Sequence, residues 1–156
     1  MYDNNDGHPG PRCVTIRSVE GKGRHIICHS FIPKGKEIDR IPVLVIPQSE
    51  VEPLNKTQLF NYVFEWDPEE RYKASKDLVQ CDQRYHQGVA LGLISLCNHS
   101  YTPNSDYEFD YKNNYLVWRA LRDIAEGEEV TIHYKVPIWF EMYAEPETVM
   151  EATTAA

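Results

Sequence analysis

No part of this 156-residue chain approaches the ~20 consecutive apolar residues that a membrane-spanning helix needs. Cysteine is sparse: Cys13, Cys28, Cys81 and Cys97 are scattered and form no Cys-x-x-Cys pair. That spacing argues against a zinc site and predicts reduced thiols. His25, Cys28 and His29 lie close in sequence, but strand alternation puts His25 and His29 on one face and Cys28 on the other, so no metal is assigned. Internal repeats and any long helix are missing as well. Basic residues are few: 16 Lys and Arg against 24 Asp and Glu leave a formal charge of −8. This balance argues against direct nucleic-acid binding, which rests on Lys/Arg contacts to phosphate, and favours encounter with a basic partner. Met1 to Gly7 is polar and acidic, unlike a secretory signal, and predicts an intracellular, soluble protein.

What is present is a chain of one-domain size, 42% hydrophobic, able to bury about two-thirds of its unfolded surface. Residues 1–12, with Gly7, Pro9, Gly10 and Pro11, read as a flexible arm. Residues 13–143 read as one domain, and residues 144–156 as a frayed tail. Val14 to Ile46 shows short β stretches broken at Gly21-Gly23 and Pro33-Gly35. Ser49 to Gln58 suits a short helix or an irregular turn, limited by Pro53. Phe60, Tyr62, Phe64 and Trp66 alternate, which predicts a half-buried strand over 60–66. Asp67 to Lys76 is charged and reads as an exposed loop. Asp106 to Tyr111 and Tyr115 to Leu121 read as strands of a hairpin turning at Lys112-Asn113-Asn114. Many short strands with few, short helices indicate a mainly β domain.

Three blocks carry the chemical signal. Leu96-Cys97-Asn98-His99-Ser100-Tyr101-Thr102-Pro103-Asn104 follows directly on the apolar run Val89 to Ile94. Polar groups at the end of a core element must find partners, because unpaired buried polar atoms are costly, and a ligand can be one of them. Gly127-Glu128-Glu129-Val130-Thr131-Ile132-His133-Tyr134 reads as a turn feeding a strand that ends in a tyrosine. Near the N-terminus, Gly21-Lys22-Gly23-Arg24 joins two β stretches, and Pro33-Lys34-Gly35-Lys36-Glu37 forms a later turn. Taken alone, Asn98 and Asn104 are turn caps, His99 is a core histidine and Tyr134 is strand-end packing. Tyr62, Trp139 and Phe140, taken alone, are core aromatics.

Together, in this order, the blocks resemble the signatures of the SET domain, the fold of most protein-lysine methyltransferases. The pattern is a Gly-x-Gly near the start, then Asn-His-Ser-x-x-Pro-Asn, then Gly-Glu-Glu-Leu-Thr-x-x-Tyr. The resemblance implies short curved sheets and a C-terminal pseudoknot, one of the rare threaded topologies. It also implies methyl transfer from S-adenosylmethionine (AdoMet) to a lysine amine, leaving S-adenosylhomocysteine. Gly21, Lys22, Gly23 and Arg24 then match the cofactor loop, Asn98 and His99 the pair that contacts AdoMet, and Tyr134 the catalytic tyrosine. Trp139 falls where the C-terminal segment completes the cofactor site. Tyr62 and Phe140, with Tyr134, match the lysine channel. The implied substrate is a basic, lysine-containing protein, such as a histone or a ribosomal protein.

The sequence departs from the family in several places. Cysteine-rich segments before and after the domain are absent, as in the minimal, stand-alone SET proteins. Closure of the channel then falls to Pro137 to Tyr143 or to a second subunit, so monomer and homodimer both stay open. Tyr101 follows Asn-His-Ser, where chromatin enzymes often carry cysteine. His133 precedes the final tyrosine, and alternation points it away from Tyr134. The alternative activity is a SET-like binding module that holds a basic protein without turnover.

Overall fold

Gly21 and Gly23 both take positive φ, 75° and 79°, a conformation that glycine adopts without steric penalty. They turn the chain between β1 (Val14–Val19) and β2 (Gly23–Cys28), which pair antiparallel from Val14↔Cys28 to Val19↔Gly23. In this computed structural model the described residues are 12–21, 23–66 and 86–135. The expectations for Lys22, Trp139, Phe140, the Asp67 to Lys76 loop, the closing segment from Pro137 and the C-terminal tail lie outside them.

After the Pro33–Gly35 turn, β3 (Glu37–Ile46) runs through the centre of a five-stranded sheet. The others are β4 (Val63–Trp66), β5 (His86–Ala90), β7 (Ser105–Asp110) and β8 (Tyr115–Ala120), in the order β4-β5-β3-β8-β7. Every described pair in this sheet is antiparallel. The β7–β8 hairpin turns where the sequence predicts, with Asn114 at φ 58°, a left-handed position that asparagine tolerates. Ile41, Leu116, Trp66, Trp118 and Ile94 are all fully buried at the centre of the core. Trp66 meets Tyr111 and Phe109 edge-on at 5.0 and 5.4 Å.

The strand predicted over 60–66 begins only at Val63. Gln58–Tyr62 forms a 3-10 helix instead, started by Thr57, whose hydroxyl accepts the Leu59 N–H. A local side-chain cap thus overrides the alternating pattern for its first half. The short helix α1 (Gln48–Asn55) precedes it, with Pro53 inside and no buried residue.

A second layer of pairing holds the motif blocks together. β6 (Asn98–His99) lies parallel to β9 (Thr131–Ile132), with Asn98↔Thr131 and His99↔Ile132. The segment before β9 is bonded in turn to β2. Val130 N–H donates to Ile26 O at 2.7 Å, and Cys28 N–H to Glu128 O at 2.8 Å. The glycine turn, the Asn-His-Ser block and the Gly-Glu-Glu block are therefore neighbours, although about 75 residues separate the first from the second in sequence.

Candidate functional site

A cavity of about 260 Å³ opens beside this junction, lined by Tyr62, Phe64, Ile94, Cys97, Ile132 and Tyr134 among others. It is smaller than typical small-molecule sites of about 300–1,000 Å³, and its aromatic and aliphatic wall suits a slender side chain. Glu65, exposed on β4, adds a carboxylate to the lining. Sequence reasoning did not single out Glu65, since a lone exposed acid carries no signal.

Tyr134 stands two residues beyond β9 and is held at both ends. Its backbone N–H donates to His99 Nδ1 at 3.0 Å, and its hydroxyl donates to Cys97 O at 2.8 Å. Tyr107 OH donates to the Tyr134 carbonyl at 3.4 Å. Burial pushes the Tyr134 hydroxyl up to about 12, so it keeps its proton at neutral pH. Burial also raises the Cys97 thiol well above its ordinary value, with the Glu129 charge adding to the effect. Cys97 is therefore a protonated wall group, and its carbonyl is what orients the tyrosine. No sequence signal marks a backbone carbonyl for such a role.

His99 is 7% exposed, and its protonation follows from its bonds. Because Nδ1 accepts from Tyr134 N–H, the proton sits on Nε2. Nε2 is buried and has no partner among the described residues. Burial lowers the His99 pKa, and the facing His133 lowers it further. The rings of His133 and Tyr134 both lie edge-on to His99, at 4.7 and 5.2 Å, and Tyr101 packs against it at 4.7 Å. His133 and Tyr134 thus share His99 as a neighbour. β9 ends at Ile132, and Lys135 takes φ 60°.

The loop side is equally bonded. Asn98 Nδ2 donates to Glu129 Oε1 at 2.7 Å and approaches Arg24 O at 3.4 Å. His25 Nδ1 lies 2.8 Å from the same Glu129 oxygen. Arg24 Nη2 donates to Tyr62 OH at 3.1 Å, joining the glycine loop to the cavity wall. A Cβ at Gly21 or Gly23 would meet nothing within 4 Å, so the outer face of this loop is open. Sequence-predicted Arg24, Asn98, His99, Tyr62 and Tyr134 thus fall in one bonded cluster beside Gly21 and Gly23. His25 and Glu129 belong to it as well, although no cofactor role was expected of either. Among the described residues no group of three or more His, Cys, Asp or Glu side chains gathers as a metal site. No described helix is long and apolar enough to cross a membrane.

The SET-domain family model matches residues 23–135, which contain every element of this cluster except the first glycine. The chain belongs to the SET-domain family. It is 33% identical over 129 residues to a histone-lysine N-methyltransferase of Schizosaccharomyces pombe, specific for H3 lysine-37; the match spans 82% of this chain and 77% of the relative. Among solved SET structures, a Plasmodium falciparum protein provisionally assigned as a histone methyltransferase superposes with a TM-score of 0.57. It has 21% identity, over 81% of this chain and 96% of that one. DIM-5, a histone lysine methyltransferase from Neurospora, matches with TM-score 0.57 and 21% identity, over 85% of this chain and 56% of its own. Cryptosporidium CpSET8 matches with TM-score 0.58 and 23% identity, over 80% and 58%. At these identities the structural likenesses establish the SET fold. The C-terminal segment, on which the expected pseudoknot depends, lies beyond the described residues.

Proposed function

We propose that this SET protein transfers a methyl group from AdoMet to the side-chain amine of a lysine in a basic protein. A histone is the substrate class suggested by the yeast relative. The observation that carries the reading is the cavity at which Tyr62 and Tyr134 meet. Tyr134 is fixed there at its hydroxyl by Cys97 O and at its backbone by His99.

The residues present fit AdoMet. The glycine loop is open at Gly21 and Gly23, Asn98 Oδ1 accepts no bond among the described residues, and His99 Nε2 is a buried donor without a partner. Gly21, Gly23, Arg24, Asn98 and His99 would hold it. Bound AdoMet supplies a methyl group on a positive sulfur, already reactive toward an amine. The work left to the chain is alignment, exclusion of water and delivery of a neutral amine.

Lysine in water has a pKa of ~10.4, so only about 0.1% is neutral near pH 7.4, a penalty of roughly 4 kcal/mol. Phe64, Ile94, Ile132 and the two tyrosines desolvate whatever enters the cavity, which lowers an amine's pKa. Glu65 attracts the incoming ammonium, while the apolar interior favours its neutral form. Tyr134 enters as a protonated phenol already committed to Cys97 O, so its oxygen stays in place as the amine arrives. Its ring and that of Tyr62 also tolerate the cationic methylated product.

The test is transfer of labelled methyl groups to histone H3 and to other basic proteins, by wild type, Tyr134→Phe and Asn98→Ala. Transfer by wild type that collapses in both folded variants supports the reading. Unchanged transfer in both variants overturns the site assignment. Peptide binding without any transfer by wild type assigns the chain as a binding module instead.

A further inference from the structure

We infer that His25 and Glu129 form a positioning pair that orients the Asn98 amide toward the aminocarboxylate end of AdoMet. The inference rests on the cofactor reading above. It begins with protons. His25 Nδ1 lies 2.8 Å from Glu129 Oε1, and the same oxygen accepts from Asn98 Nδ2 at 2.7 Å. Asn98 Nδ2 also lies 3.3 Å from His25 Nδ1. If His25 Nδ1 were the acceptor, two lone pairs would face each other at 2.8 Å. His25 Nδ1 therefore carries the proton and presents it to the Glu129 carboxylate.

This arrangement removes the freedom of the amide to flip. The two N–H bonds of Asn98 are directed to Glu129 Oε1 and toward Arg24 O. Oδ1 is then the unspent atom, an acceptor next to a carboxylate. Acceptors so grouped suit a cation, and the α-ammonium is the cationic end group of AdoMet's amino acid portion. Reversing the amide would turn the NH2 toward that ammonium and its oxygen toward Glu129, with repulsion on both sides.

Stability alone gives no reason for an imidazole at residue 25. With Nδ1–H facing Glu129, His25 Nε2 is buried and without a partner among the described residues. An aliphatic side chain would occupy the same space without that cost. Glu129 is partly exposed, with 33% side-chain accessibility, so water can satisfy its carboxylate if the ring is removed. Function and stability are thereby separable at this position.

The experiment is calorimetric titration of wild type, His25→Leu, Glu129→Ala and Glu129→Gln with two ligands. S-adenosylhomocysteine carries the aminocarboxylate; 5′-methylthioadenosine keeps the nucleoside and thioether but lacks it. His25→Leu and Glu129→Ala are expected to weaken S-adenosylhomocysteine about tenfold and methylthioadenosine by less than about twofold. The melting temperature of His25→Leu should hold or rise. Glu129→Gln should retain most of the affinity, because its amide oxygen accepts both bonds. Equal weakening of the two ligands would mean general damage to the site and would overturn the positioning role. So would unchanged affinity in both disruptive variants. Failure of wild type to bind either ligand overturns the cofactor reading, and this inference with it.

Discussion

The five-stranded sheet and the short β6·β9 pair are built from opposite materials. The sheet buries Ile41, Leu116, Trp66 and Trp118, whose burial is non-directional and proportional to area. The pair is enclosed by His99, Ser100, Asn104 and Ser105, all buried and all polar. Apolar packing tolerates changes that conserve volume, whereas buried hydrogen bonds demand particular atoms at particular distances. The sheet therefore supplies stability, and the polar junction supplies geometry to Tyr134 and Asn98. Ser105 belongs to both. Its hydroxyl accepts from Trp118 Nε1 at 2.9 Å and donates to Thr131 O at 2.7 Å, tying the sheet core to β9.

The largest effect should come from the sheet. Trp118→Ala removes a fully buried indole, and is expected to cost about 3–5 kcal/mol of stability. Denaturant melts should show the loss. Methyl transfer, corrected for the folded fraction, should change far less.

Tyr134→Phe should invert that outcome. It removes one hydroxyl and its bond to Cys97 O, which costs only ~1 kcal/mol of stability. The catalytic rate should fall on the order of 100-fold, as expected when a reacting group loses its alignment. Steady-state kinetics set beside a melt would decide this. A large stability loss with an intact rate would erase the distinction between the two regions.

Asn104→Ala lies between these extremes. Asn104 Nδ2 donates to Glu129 O at 2.7 Å, and its Oδ1 accepts Thr131 N–H at 2.9 Å. The residue is 2% exposed, so its removal leaves two backbone groups unpaired, at about 1–3 kcal/mol each before relaxation. Because Thr131 pairs with Asn98, both stability and methyl transfer should decline together, unlike either variant above.

The two regions also differed in how far the sequence disclosed them. The β7–β8 hairpin and β1–β2 turn were legible because turn residues and alternation are local signals. The first half of the 60–66 strand was misread because Thr57, a cap outside the alternating window, starts a 3-10 helix there. At the junction, Asn98, His99 and Tyr134 are legible only as parts of the SET-family motifs. Their bonds are not, because Cys97 O, Glu129 and His25 act across distances in sequence that no local periodicity encodes.

The smallest expected effect is a pH dependence confined to the junction. His99 accepts the Tyr134 N–H through Nδ1, so protonating that nitrogen breaks the bond. Burial and His133 hold the His99 pKa below its ordinary value. Unfolded protein therefore takes up a proton at higher pH than folded protein does. The contribution of His99 is fully present above about 6.5 and is lost as pH falls through the depressed folded value. Tyr101, His133 and Tyr134 are the rings packed edge-on against His99. His99→Phe removes the titration while keeping an aromatic ring between Tyr101 and Tyr134. The stability difference between wild type and His99→Phe should shrink as pH is lowered from 7 toward 5, in denaturant melts at matched ionic strength. A difference that stays constant over that range would mean that His99 contributes to the junction by packing alone.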